Sequence, residues 1–210
     1  MTRMFLTAPV AAAIVLSQAS ILQAADDNLY QDVFAPNSSF IRVLAPDQSV
    51  ATVGSKSLEG LSDGPTEFVN VMPGEVTVSL TGASATVQVE PNMHYTIVSH
   101  SDDQATVQID TITGSPSKAD VTFYNMSDAD NLELYVPAAK ASVLTGVNAA
   151  NGKSIAIKAP LTLDFEVRRE GEVLATATQV QLQRKAGVTI VFAENDGGYS
   201  ALATPNAYLK

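Results

Sequence analysis

The stretch LTLDFEVRREGEVLATATQVQLQRK, Leu161–Lys185, decides the fold. Leu161, Leu163, Phe165 and Val167 alternate with Thr162, Asp164, Glu166 and Arg168. That is the period of a strand with one face in a core and the other in water. Glu170-Gly171 is a turn signal, so the chain is expected to fold back as a hairpin ending near Leu182. On the returning strand Gln179, Gln181 and Gln183 alternate, and Arg184-Lys185 follows. A hairpin closed at Glu170-Gly171 lays the glutamines in a row, with Arg168 and Arg169 near the turn and Arg184-Lys185 at the far end. These seven residues form the candidate partner-binding surface. Charged and amide side chains on a strand face suit edge pairing or a polar partner, and they serve equally to protect a sheet edge.

The same alternation appears elsewhere. Val76, Val78 and Leu80 alternate with Glu75, Thr77 and Ser79, and Val87 and Val89 with Thr86, Gln88 and Glu90. Met72-Pro73-Gly74, Thr81-Gly82 and Asn195-Asp196-Gly197-Gly198 punctuate the strands. Helical periodicity is not sustained; the best helix candidate is Pro137 to Val143, which Gly146 follows.

The strands fall into two blocks with one order of elements. Each opens on a strand, Phe40–Ala45 and Asp120–Met126, and carries a central hairpin, Glu75–Val89 and Leu161–Leu182. Each then repeats a Thr-Ile-Val core, at 96–98 and 189–191, and closes on a short strand, Ala105–Asp110 and Tyr199–Ala203. The expected fold is all-β: two tandem β-sandwich domains after an N-terminal signal peptide, each of roughly seven or eight strands. The expected bounds are a signal peptide over 1–24, an N-terminal sandwich over 25–112, a linker at 113–117 and a C-terminal sandwich over 118–210. One continuous larger sandwich is the competing arrangement.

The leader rests on Arg3, an apolar stretch from Phe5 to Leu16, small residues, and then Asp26 and Asp27. Cleavage after Ala24 or after Ala19 fits, and the implied location is the periplasm. The apolar stretch is shorter than the roughly 20 residues that span a bilayer.

The full chain has 210 residues, no cysteine, no tryptophan and a net charge of −10. Without cysteine there are no disulfides, thiolate metal sites or cysteine nucleophiles. The acidity argues against nucleic acid. It is also uneven: residues 25–114 hold 12 acidic and 2 basic residues, whereas residues 115–210 hold 10 and 9. The near-neutral second block is therefore the expected docking half.

No constellation marks a reaction. Gly82-Ala83-Ser84-Ala85-Thr86 lacks the second glycine of a nucleophile elbow. His100-Ser101-Asp102 places triad letters side by side, although triad members meet across a fold. His94 and His100 sit six positions apart on one expected strand, roughly 20 Å, too far to share a metal. Asp128–Glu133 lacks the glycine and spacing of a calcium loop. The reading is no enzyme, no catalytic or metal residue and no cofactor. Sugar stacking has only Tyr199 and Tyr208 to offer, and direct polysaccharide binding is doubtful for so acidic a chain.

The run Ala25-Asp26-Asp27-Asn28-Leu29-Tyr30, then Pro36 and Ser39-Phe40-Ile41-Arg42-Val43, resembles the opening of the AlgF family, periplasmic accessory proteins of alginate O-acetylation. The Gly197-Gly198-Tyr199-Ser200-Ala201 ending and the plan of a leader with two β-blocks are similar too. The resemblance implies a non-catalytic adaptor whose partners are a membrane O-acyltransferase and periplasmic alginate acetyltransferases. It carries no site residue over. A carbohydrate-binding module for an exopolysaccharide and a structural envelope or secretion scaffold are the alternatives.

Overall fold

The computed structural model describes residues 34–101, 104–195 and 197–209; the expected leader lies outside them. Sixteen strands account for the architecture. The first eight are β1 (Ser39–Leu44), β2 (Ala51–Val53), β3 (Lys56–Leu58), β4 (Val69–Val71), β5 (Gly74–Leu80), β6 (Ser84–Val89), β7 (His94–Ser101) and β8 (Gln104–Asp110). The second eight are β9 (Lys118–Met126), β10 (Leu132–Val136), β11 (Ala141–Val147), β12 (Gly152–Lys158), β13 (Leu161–Arg169), β14 (Glu172–Leu182), β15 (Gly187–Asn195) and β16 (Gly198–Pro205).

They form four four-stranded sheets, ordered β3-β2-β5-β6, β4-β1-β7-β8, β12-β9-β15-β16 and β11-β10-β13-β14. Adding eight to every strand number of the first half reproduces the second. The two parallel pairs also correspond: β1 with β7, and β9 with β15. Both Thr-Ile-Val tripeptides lie in these partners, with Thr96 opposite Arg42 and Thr189 opposite Thr122. The edge strands carry the likeness into the sequence: Ala85-Thr86-Val87-Gln88 in β6 against Ala177-Thr178-Gln179-Val180-Gln181 in β14. The extra residue in β14 is a bulge, because Leu163 and Phe165 face Val180 and Ala177.

Each half is a sandwich with its own core. Ile41, Val43, Tyr95 and Ile97 meet Val78, Leu80 and Val87 in the first. Val121, Phe123, Ile190 and Phe192 meet Leu134, Phe165 and Val180 in the second. A third cluster, Leu44, Val98, Tyr124, Met126 and Val191, comes from the opposite faces of the two inner sheets. The layers therefore run outer sheet, inner sheet, inner sheet, outer sheet, and Phe34–Lys210 forms one compact unit. The inner strands are covered on both faces: every residue of β9 after Lys118 is buried. Alternation is fullest at the edges, as in outer-sheet β6, where exposed and buried residues alternate throughout.

The helix expected over Pro137–Val143 shrinks to one 3-10 turn, Pro137–Ala139. Lys140 takes a left-handed conformation (φ 52°) and the chain re-enters a strand at Ala141, so the β-branched Val143 lies in β11. The Glu170-Gly171 turn closes a two-residue hairpin between Arg169 and Glu172, with positive φ at both turn residues (53° and 86°). That is the twist such hairpins require.

Candidate interaction surface

Between the inner sheets lies a polar network centred on Arg42, which is 1% exposed. Its Nε donates to Thr96 Oγ1 (2.8 Å), its Nη1 to Thr189 Oγ1 (2.8 Å) and Asn206 Oδ1 (3.0 Å), and its Nη2 to Asp110 Oδ2 (2.8 Å). Tyr124 donates to Asp110 Oδ1 at 2.5 Å. The guanidinium also stands over the Phe68 ring, 4.4 Å from its centroid. A buried cation needs this full set of acceptors, since any left unmade costs its desolvation outright. Burial, reinforced by the Asp110 carboxylate, holds the Tyr124 hydroxyl well above its ordinary pKa. Two glycines make the space: a side chain at Gly152 would strike the Tyr124 ring, and one at Gly187 would strike the Asn206 amide.

Two further ties join the halves. Asp120, 2% exposed, accepts from the Thr113 and Gly114 amides (2.9 and 3.0 Å) and from the Thr113 hydroxyl (2.7 Å). The chain's end crosses back to the first half, where the Phe68 amide donates to Ala207 and the Leu209 amide to the Phe68 carbonyl, both at 2.8 Å. Tyr208 thereby joins Phe34, Phe40, Phe68 and His94 in an aromatic cluster. His94 stacks on Phe40 (4.8 Å) and shares a 3.2 Å hydrogen bond with the Tyr208 hydroxyl. Burial lowers its pKa to about 4; Asp110 and Asp120 oppose that shift and Arg42 adds to it.

The nominated residues occupy the outer sheet of the second half. Arg168 is held in place: its Nε and Nη2 both donate to Glu166 Oε2 (2.8 and 2.5 Å), and its guanidinium lies 3.4 Å from the Tyr135 centroid. Glu133 sits opposite Arg168 on β10 and accepts from the Ser142 hydroxyl at 2.6 Å. Reversing the Arg168 charge would therefore gather three carboxylates and disturb the sheet. Arg169 is exposed at the turn, opposite Glu172.

Gln179 stands at the bulge, φ 55°, its amide donating to Asp164 Oδ1 at 2.7 Å. The bulge precedes the row: Gln179, Gln181 and Gln183 are all exposed and alternate with buried Val180 and Leu182. Arg184 and Lys185 follow β14 on a turn closed by Ala186 N–H to the Gln183 carbonyl (3.3 Å). The two basic pairs, Arg168-Arg169 and Arg184-Lys185, thus sit at opposite ends of the hairpin, roughly 25 Å apart at about 3.3 Å per residue.

At the Arg184 end the topology adds two cations remote in sequence. Lys118 and Lys158 are direct partners across β9 and β12, and the Lys185 amide donates to the Lys118 carbonyl at 3.0 Å. The Arg184 Nε donates to the Ala159 carbonyl at 3.0 Å, which fixes its head. Sequence inspection misses Lys118 and Lys158 because only the β9–β12 register brings them together.

His94 and His100 both lie on β7, with His100 Nε2 3.1 Å from Asp128 Oδ1. Among the described residues no group of acidic or histidine side chains could hold a metal ion. Tyr199 lays its ring on Phe192, centroids 5.0 Å apart, so one face is spent on the core.

A family model described as "Alginate O-acetyl transferase AlgF" matches residues 13–189. Among solved structures, the C-terminal domain of AlgF from P. aeruginosa matches at 19% identity and a TM-score of 0.38, over 43% of this chain and 99% of that one. No curated protein matches the chain.

Proposed function

The chain belongs to the AlgF family of alginate O-acetylation, and from that premise we propose that it is a non-catalytic periplasmic adaptor, linking a membrane O-acyltransferase to periplasmic alginate acetyltransferases. The observation that carries the reading is the Arg42 network. It fastens two sandwiches back to back and leaves two outer sheets of different chemistry facing away from each other. With sheets about 10 Å apart, the outer faces stand about 30 Å from one another. One face, on β5 and β6, presents Thr77, Ser79, Ser84, Thr86 and Glu75. The other presents the Tyr135, Glu166 and Arg168 cluster and the hairpin glutamines. Tyr and Arg held in fixed geometry are the side chains that most often anchor protein interfaces. Such an object suits holding two partners at a set distance. The environments of the two histidines favour structure over catalysis, since His94 is bonded to Tyr208 and His100 to Asp128.

The test is deletion of the gene and complementation in its own host. Loss of polymer acetylation with polymer yield preserved is expected, together with capture of an acetyltransferase by the purified mature chain. Release of acetyl groups from a model ester at enzymatic rates would overturn the non-catalytic reading.

A further inference from the structure

We propose that the cations at the linker end of the second half dock the protein, end-on, against a membrane surface of anionic phospholipid. Lys118, Lys158, Arg184 and Lys185 are all exposed, and none is in an ion pair among the described residues. Lys118 and Lys158 are direct cross-strand partners, an arrangement in which like charges repel until an external anion relieves them. The carboxylates nearest in sequence are engaged elsewhere: Asp120 is buried and accepts from the Thr113 and Gly114 amides, and Asp164 accepts from the Gln179 amide. The opposite end of the same sheet is acidic. β9 and β15 both start at the cationic end, and their far ends bring exposed Asp128 and Glu194. At about 3.3 Å per residue the two ends stand roughly 25 Å apart. In the first half the cations are only Arg42, which is buried, and Lys56. The molecule is thus an acidic body with one positive end.

The cations are held together by the fold. Four backbone bonds tie their segments: Lys185 N–H to the Ser115 (3.2 Å) and Lys118 (3.0 Å) carbonyls, Ala159 N–H to Ser117 (3.0 Å) and Asp120 N–H to Ala186 (3.0 Å). Lys185 takes a left-handed conformation (φ 61°) that favours glycine, and two of these bonds keep a lysine there. Arg184 spends only its Nε on Ala159, leaving both Nη groups for the oxygens of a phosphate. Pro160 and Leu161, both exposed, follow Lys158 closely and offer an apolar contact at the boundary of headgroups and acyl chains. The residue types separate a lipid surface from an acidic protein. Three of the four cations are lysines, which are depleted at protein interfaces, where arginine and aromatic rings are enriched. Long, mobile lysine heads suit headgroups, which present charge without a fixed geometry. Each cation brought near an anionic bilayer strengthens partition by about fivefold. The net charge of −10 resists approach as a whole, so the attraction works within a Debye length, about 8 Å at physiological salt, and only the cationic end gains from it. Docked on that end, the strands of the second half rise from the surface and its outer sheet stays open.

The experiment is flotation of the mature chain with vesicles of phosphatidylglycerol and phosphatidylethanolamine, pure phosphatidylcholine vesicles serving as the neutral control, at low and physiological salt. Expected are partition onto the anionic vesicles alone and its weakening by added salt. Lys118→Gln/Lys158→Gln should lower partition about twentyfold and Arg184→Gln about fivefold, while Lys56→Gln, in the first half, should leave it unchanged. Because it relieves repulsion, Lys158→Gln should not lower the melting temperature, which separates lost contact from lost fold. No partition of the unaltered protein, equal partition onto phosphatidylcholine, or equal weakening by Lys56→Gln overturns the proposal. Lost capture of an acetyltransferase by the linker-end variants, with no vesicle binding by the parent, also overturns it and assigns the cluster to an acidic protein surface. The adaptor reading is tested by that capture without lipid present, so each can fail without the other.

Discussion

Position 42 in β1 and position 122 in β9 are the same place in the two copies of one fold, facing Thr96 and Thr189 in equal register. One holds arginine and the other threonine. Arg42 reaches Thr96 and Asp110 of its own half, and Thr189 and Asn206, their counterparts, of the other. Among the described residues the Thr122 hydroxyl hydrogen-bonds only the Ser154 hydroxyl, at 3.1 Å. Two copies packed face to face share one seam. A single long cation fills it and satisfies acceptors from both sides, whereas a second at position 122 would bury like charges together. The duplicated fold is made into one body by breaking its own repeat.

The largest test of this asymmetry is Arg42→Ala. It strands Asp110 and leaves a void, so a loss of about 3–5 kcal/mol is expected in denaturant unfolding. An unchanged midpoint would show that the apolar part of the seam suffices. Tyr124→Phe removes one bond to the buried carboxylate and should cost about 2 kcal/mol. The third test is pH. The unfolded His94 protonates near 6.5, the folded one near 4. Its contribution is complete above pH 6.5, fades as pH falls from 6.5 to 4, and changes no further below. Allowing for its partial exposure, the loss is about 2 kcal/mol. His94→Phe should flatten that slope in melting curves taken across the window. The smallest effect is expected at the counterpart position, where Thr122→Val should cost about 1 kcal/mol or less. If it matched Arg42→Ala, the asymmetry would carry no energetic weight.

The outer layers were legible from residue order. Val76, Val78 and Leu80, and Leu163, Phe165 and Val167, write their burial into a period of two because one face meets water, while Leu161, expected on the same core face, is exposed at the strand's start. The strands of the inner layers were legible too, as Phe40–Ala45 and Asp120–Met126, but their burial was not, because β1 and β9 are covered on both faces and nothing alternates. Arg42 is the sharpest case. Charge in a strand reads as a solvent face, yet here it lies at the centre of the molecule. The hairpin at Glu170-Gly171 and the separation of its two basic pairs followed from the turn residues. The bulge at Gln179 did not, since one inserted residue changes no composition and only the facing strand reveals it. The Lys118–Lys158 pair is a product of register alone.

The return of Ala207 and Leu209 to Phe68 is a closure between segments remote in sequence. Asp110 lies 68 residues from Arg42 and Asn206 164, so the bond within the half closes a far shorter loop than the bond between the halves. The Phe68 backbone beside β4 stays open until Ala207 and Leu209 are in place. Long-range closures of this kind slow folding, because loop entropy is spent before contacts reward it. The first half is thus begun before the second and closed after it, and a chain cut before Ala207 would keep its oldest sheet unsealed.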